Sequence, residues 1–314
     1  MLLVIGSINI DLVSYTDEIP KIGETVIGTG FYQYPGGKGA NQAVCAAKLG
    51  AGVCFFGKVG ADTHGDFMLG NMAESGVDIF AVEKIGTPTG LASISVDSSG
   101  QNSIIVIPGA NSCLDREYID RNINTIKNCN IILAQLEIPF DSVEYAFKAA
   151  KSFNKTTILN PAPAAPLSEG MIHNTDILVP NEHELSRITG MDCTSLEKIT
   201  IAARSLNARG VKCIIVTMGS EGVLLYHEGR SCVFPAHKIK AVDTTAAGDC
   251  FLGGFARSYM INKDVGEAII QGQLVASYSI QHQGAQSSMP SYSQFEEYAE
   301  NTVVPEPYEL PGQI

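Results

Sequence analysis

The run Ala241–Phe251, AVDTTAAGDCF, sets two carboxylates, Asp243 and Asp249, on either side of small residues that lead into a helix. A helix N-terminus attracts anions through its unpaired amides and its dipole. A carboxylate at that mouth, Asp249, either caps the helix or stands ready to accept a proton.

Five further motifs carry side chains that could act on a polar ligand. In GSINID, Asn9 and Asp11 alternate with Ile8 and Ile10 at the carboxyl end of an apolar run, so both point the same way. They either hydrogen-bond ligand hydroxyls or make a turn. The first βα turn lacks G-x-G-x-x-G, which disfavours a dinucleotide site. In PGGKGANQA, Gly36, Gly37 and Gly39 let a backbone pass close to a ligand at a helix start. Lys38 is followed by Gly39, so this is not the P-loop signature; Lys38 and Asn41 among the glycines favour a polar-ligand site over a flexible helix entry. In LVPNEHE, Asn181 and Glu184 share the face of a helical first turn. They could hold the water shell of Mg²⁺, or form a capping box. VTMGSEG ends in a polar Gly-rich turn, Thr217–Gly222, suited to nucleotide phosphates or ribose, or to a simple β-turn. Glu137, closing NIILAQLE, must point outward or meet a specific partner, because a buried carboxylate without one is costly.

The elements that position these groups alternate. LLVIGSI, GVCFFGKVG, NIILAQLE, TTILN, DILVPN and CIIVTMG are continuous apolar runs, as strands covered on both faces should be. A helix is predicted from Ser195 to Arg209, preceded by Thr194, with Glu197 at capping-box spacing and a stop at Gly210. This rhythm predicts an α/β fold, a three-layer α/β/α doubly wound, mostly parallel sheet. Its motif-bearing strand ends then fall on one edge, where such sheets bind ligands. Residues 12–35 and 88–108 break the rhythm and read as β-excursions, either a small β-sheet lid or two surface hairpins. The expectation is one α/β domain over 1–314 with these excursions appended.

Composition narrows the partners. A net charge of −12 over 314 residues argues against binding nucleic acid or an anionic membrane. It leaves room for a phosphate ligand, since backbone amides and a metal ion supply local positive potential. Eight scattered cysteines form no CxxC pair and fit buried free thiols in a reducing compartment. With no basic leader and no apolar run of membrane-spanning length, a cytosolic protein is expected.

GSINID, PGGKGANQA, QLEIP, LNPAPA, PNEHE, VTMGSEGV and AVDTTAAGDCF occur in the order and spacing of the ribokinase family of sugar kinases (pfkB-type carbohydrate kinases), over about residues 4–290. GGKGANQA, NPAPA and GAQSS resemble the ribokinase branch more than adenosine kinases or fructokinases. The resemblance implies that Asn9, Asp11, Gly37, Lys38, Asn41 and Glu137 hold a pentose, with Asp249 as general base. Asn181 and Glu184 would serve Mg²⁺ and phosphate positioning. Thr217, Gly219, Ser220, Gly222 and Gly248 would line an ATP site, with Gln273 where the family often has Asn or His against adenine. An activating K⁺ would be held by Asp243, Thr245, Ser279, His282 (through its carbonyl), Gly284 and Ser288. The lid implies a homodimer. The implied reaction moves the γ-phosphate of ATP to the 5-hydroxyl of D-ribose, with the amides of Ala246, Ala247 and Gly248 as an anion hole. Alternatives are a deoxyribokinase or other sugar kinase, and a non-catalytic sugar- or nucleotide-binding regulator.

Overall fold

The computed structural model describes residues 1–310. Among them the main sheet has ten strands. From one edge these are Tyr308–Glu309, Arg230–Phe234, Val223–His227, Cys213–Thr217, Ile177–Leu178, Thr156–Leu159, Ile131–Ala134, Leu2–Ile5, Val53–Phe56 and Val77–Asp78. Pairing is parallel from Cys213–Thr217 to Val77–Asp78 and antiparallel across the other edge. The chain order reverses at Leu2–Ile5, which lies between the strands Ile131–Ala134 and Val53–Phe56. Ligands of doubly wound sheets bind at such a switch point.

The alternation along Leu2–Ile5 shows why the sheet is covered twice. Leu2 and Val4 enter one core with Val44, Phe251 and Phe255, and Leu3 and Ile5 enter the other with Phe147 and Leu206. Every residue of that strand is buried, which an apolar run achieves only between two helical layers. Helix Phe140–Ser152 buries Val143, Ala146, Phe147 and Ala150, one stripe at helical spacing, against the second core. Helices Lys38–Lys48 and Ala247–Asn262 supply the first core from the opposite face.

Two boundaries differ from the sequence expectation. GVCFFGKVG is not one strand: it breaks at Gly57, and Lys58–Gly60 leaves the main sheet to pair with Glu83–Ile85. Tyr118 binds the Gly57 amide at 3.2 Å, so an outside hydroxyl takes the place of a sheet partner. The helix expected to follow Thr194 runs Leu196–Ala208 with Ser195 as its cap. Thr194 is held instead in a turn by Asp192, its amide 3.0 Å from Oδ1. Glu197 thereby falls one place short of a capping box.

A second sheet has four strands, in the order Gly28–Gly36, Asn9–Thr16, Gly90–Val96 and Asn102–Ile107. It takes in most of 12–35 and 88–108 and begins earlier, at Asn9. The Ser98–Gln101 turn is tied to Asp97 Oδ1 by the amides of Ser99 and Gln101, both at 2.9 Å. Among the described residues, no helix is long and apolar enough to cross a membrane.

Candidate active site

The site starts where two backbones cross. After Leu2–Ile5 the chain runs under the glycine loop, and a Cβ on Gly39 would lie 2.7 Å from Gly6 Cα. Gly37, at φ +89°, would put one 2.8 Å from Asn9 N. Only glycine fits such an approach. The Ala40 amide locks the crossing onto Ser7 O at 2.9 Å. Glu137 finds its specific partners here: its Oε2 accepts from the Lys38 amide at 3.1 Å and from the Ser7 hydroxyl.

Helix Lys38–Lys48 then delivers two amides to Asp249. Asn41 Nδ2 donates to Oδ2 at 3.0 Å, and Gln42 Nε2 donates to Oδ1 at 2.9 Å. Gln42 also donates to Asn160 Oδ1 at 3.2 Å and accepts from Gln135. Gln286 Nε2 reaches Asn41 Oδ1 at 2.9 Å, which orients the Asn41 amide. Asp249 is 7 % exposed. Burial raises its pKa, against the pull of Lys38, Gln42 and Asn41. Asp11, pressed over Gly36, is pushed up to about 7 by burial and by the charges of Glu137 and Asp249. For Lys38, burial works downward, but Asp249, Glu137 and Glu184 outweigh it and raise the ammonium. The geometry gathers several carboxylates around one lysine, which keeps Lys38 charged beside an anion site.

A cavity of about 240 Å³ opens beside them, lined by Lys38, Asn160, Asn181, Glu184, Thr217 and the turn around Ala246–Asp249. Ala246, the helix cap, takes φ +59°, a left-handed conformation unusual for a residue with a Cβ. The three amides named from sequence, Ala246, Ala247 and Gly248, are not equivalent, and Asp249 adds a fourth. That of Ala247 reaches Thr244 O at 3.2 Å, while those of Ala246, Gly248 and Asp249 meet no acceptor among the described residues. Donors left open at a helix mouth are what a migrating anion would need.

Asn181 and Glu184 build the capping box: the Glu184 amide donates to Asn181 Oδ1 at 2.8 Å and the Asn181 amide to Glu184 Oε2 at 2.8 Å. Asn181 Nδ2 meets the other carboxylate oxygen at 3.0 Å. Burial raises Glu184. The box leaves each carboxylate oxygen a second lone pair, and both side chains line the cavity. Among the described residues no group of three His, Cys, Asp or Glu could hold a metal. This donor set fits a Mg²⁺ that keeps most of its waters and takes phosphate oxygens, the usual habit of that ion.

Thr217 lines the cavity, and Gly219–Glu221 form a 3₁₀ turn beyond it with Ser220 exposed. Gly222, at φ +100°, packs on the backbone of Phe234–Ala236, where a Cβ would lie 2.7 Å from Ala236 N. Gln273 fastens that same segment, its Nε2 donating to Phe234 O at 2.9 Å and Pro235 O at 3.3 Å. Its N–H groups are thus spent on backbone, and its carbonyl oxygen alone is left for a base.

The residues assigned to a monovalent cation fall into a trio, a pair and an outlier. Asp243 accepts from Thr245 N at 2.9 Å and from Gly284 N at 2.8 Å. Ser279 and Ser288 share a hydroxyl contact at 2.7 Å. The His282 ring is exposed and stacks on Tyr278 with centroids 4.4 Å apart, so only its backbone could serve. Burial would raise Asp243, but hydrogen bonds from Thr245 and Gly284 hold it below the ordinary range.

Sequence reasoning missed Ser7, Gln42, Asn160, Gln286 and Asn111. Asn111 is buried and governs Asn9: its Nδ2 donates to Asn9 Oδ1 at 2.7 Å while its Oδ1 accepts from Ile8 N at 2.9 Å. The Asn9 amide nitrogen is thereby left free to donate. The available signal was polar side chains inside otherwise apolar or small-residue segments.

The chain is similar to known proteins in both sequence and fold. Residues 1–292 match the family described as pfkB family carbohydrate kinase. The chain is 42% identical to a deoxyribokinase of Salmonella typhi over 297 residues, 94% of this chain and 97% of the relative. It is 38% identical to a ribokinase of Haemophilus influenzae over 301 residues, 96% and 98% of the two chains. The structure of Arabidopsis thaliana ribokinase complexed with ribose and ATP superposes with a TM-score of 0.91 at 34% identity, covering 96% of this chain and 99% of that one.

Proposed function

The chain belongs to the pfkB family of carbohydrate kinases, and we propose that it transfers the γ-phosphoryl group of ATP to the 5-hydroxyl of D-ribose, giving ribose 5-phosphate and ADP. The observation that carries this reading is Asp249, buried at the mouth of a helix whose amides are open, with both carboxylate oxygens held by Asn41 and Gln42. Asn9 and Asp11 hold the sugar hydroxyls from one side, and Lys38 and Glu137 frame it from the other. Asp249 accepts the proton of the attacking hydroxyl. The amides of Ala246, Gly248 and Asp249 stabilise the charge on the migrating group, helped by Lys38.

Thr217, Gly219, Ser220 and Gly222 flank the nucleotide, with Gln273 behind them. Asn181 and Glu184 would hold a hydrated Mg²⁺, which when bound would neutralise phosphate charge. Asp243, Thr245, Ser279, Gly284, Ser288 and the His282 carbonyl would hold K⁺, with Asp243 and Thr245 on the same loop as the open amides. The smaller sheet acts as a lid, and its edge strand supports a homodimer: Ile104–Ile107 are each 49 % exposed or more. Long apolar edge strands otherwise invite aggregation. Six of the eight free cysteines are buried, which fits a reducing cytosol.

Deoxyribose is the second reading, favoured by the 42% identity to a deoxyribokinase. Asn9 separates the two, because its free amide hydrogens suit a 2-hydroxyl. Leaving such a donor unmet costs about 10–100-fold. The test compares kcat/KM for ribose, deoxyribose and fructose, with Asp249→Asn as the chemical control. Ribose is expected to lead deoxyribose by about that factor, and Asp249→Asn to lose at least about 10²-fold in turnover. Equal use of the two pentoses overturns the substrate assignment, and near-normal turnover by the folded variant overturns the base.

A further inference from the structure

At the edge of the main sheet opposite Asp249, strands Thr156–Leu159, Ile177–Leu178 and Cys213–Thr217 begin around a second cavity, of about 430 Å³. That volume lies within the range of small-molecule sites. Helix Ala247–Asn262 joins the two cavities: Asp249 stands in its first turn, and Tyr259 in its last turn lines the second. Asp249 and Tyr259 stand ten positions apart along this helix, roughly 15 Å, so an occupant beside Tyr259 does not reach the carboxylate of Asp249.

The wall of this cavity is basic in a chain whose net charge is −12. Lys151, Lys155, Lys212 and Lys263 all line it, and Asp176 is the one carboxylate among its lining residues. Asp176 meets Lys151 at 2.5 Å and Lys212 at 3.2 Å, and also accepts from the Thr157 amide at 3.0 Å. Lys155 and Lys263 have no carboxylate partner among the described residues; Lys263 instead lies over the Tyr259 ring, 4.9 Å from its centroid. The ordinary role for lysines here is to meet the C-termini of helices Phe140–Ser152 and Ala247–Asn262. Each such end carries only about half a negative charge. With Asp176, the helix ends offset about two of the four cations, and about two stay uncompensated.

We propose that this cavity binds a small organic phosphate. A phosphate monoester carries about −1.5 to −2 at neutral pH, which equals the excess. Lysines serve phosphate as point charges, and Lys155, Lys263 and Lys212 approach from three elements. The volume beyond a phosphate accommodates a sugar- or nucleoside-sized body beside Tyr259 and His227. The His227 ring is oriented by Nδ1, 3.1 Å from Lys212 O. The exposed Glu228 lies outside the wall, 3.9 Å from His227 Nε2.

The test is isothermal titration of the full chain, its first site filled with sugar and a non-hydrolysable ATP analogue, with ribose 5-phosphate, AMP or inorganic phosphate as probes. At least one ester is expected to bind one to one, and Lys155→Gln/Lys263→Gln to weaken it about 10–100-fold. Lys212→Gln alone is expected to weaken it about tenfold. Basal turnover should stay within about twofold in both variants, since neither touches the first cavity. No binding of any ester to the wild type, or undiminished binding to both variants, overturns the proposal. Inorganic phosphate binding as tightly as the esters overturns the organic body. Binding rather than turnover is measured, so a wrong sugar assignment leaves this result standing.

Discussion

Gln42 Nε2 donates to Asp249 Oδ1 at 2.9 Å from the first turns of another helix, 207 residues away in sequence. With Asn41 on Oδ2, it fixes the direction in which the carboxylate faces the cavity. Both bonds stabilise the ionised form against burial. Gln42→Met keeps the volume and removes the donor, so the pKa of Asp249 rises further. Because a base acts deprotonated, the acid limb of kcat/KM moves to higher pH, with turnover at neutral pH down about tenfold. A pH–rate profile superimposable on the wild type would remove Gln42 from the mechanism.

Asp11, raised to about 7, makes stability depend on pH. The folded state keeps a proton that the unfolded chain releases near its ordinary value of 3.8. Between these values the folded state binds more protons, so stability falls as pH rises through the window. Asp11→Asn cannot lose that proton. Its Tm relative to the wild type is expected to climb between about pH 4 and about pH 7. A constant difference across that range would show that Asp11 ionises normally.

Ala246 sits at φ +59° without the freedom of glycine. The left-handed region costs an ordinary residue about 1–2 kcal/mol, and glycine loses about 0.5–1 kcal/mol more chain entropy on folding. Ala246→Gly is therefore expected to raise the urea midpoint, a gain of about 0.5–1 kcal/mol. A lowered midpoint would mean that the alanine methyl contributes packing worth more than the strain.

The apolar edge strand Asn102–Ile107 predicts self-association. Ile105, 64 % exposed, is its most open apolar residue. Sedimentation velocity should give a dimer for the wild type and a monomer for Ile105→Lys, with the circular dichroism spectrum retained. A monomeric wild type at micromolar concentration would leave that strand without the partner proposed for it.

Much of the site is legible in the sequence because it lies at strand ends. Asn9, Glu137, Asn181 and Thr217 each close an apolar run, and a parallel sheet brings such ends to one edge. What is not legible is who holds whom. Asn111 reaches Asn9 across 102 positions, and Gln286 reaches Asn41 across 245; local spacing carries no trace of either pairing. Local rules also mislead where two devices compete, as at Thr194, taken by the Asp192 turn before it can cap a helix. The lysines around the second cavity come from three separate segments, so their excess charge exists only once the chain is folded.

The strand Asn9–Thr16 begins at the proposed sugar contact and ends in the exposed outer sheet. Its first residue pairs with Gly36 and with Gly90, and its far end carries Tyr15 packed on Tyr32. Mechanically it is one lever, about 25 Å long, with the grip at one end and the handle at the other. A force on the outer sheet, whether from a neighbour or from closure, is delivered to Asn9 and Asp11 along a single arm.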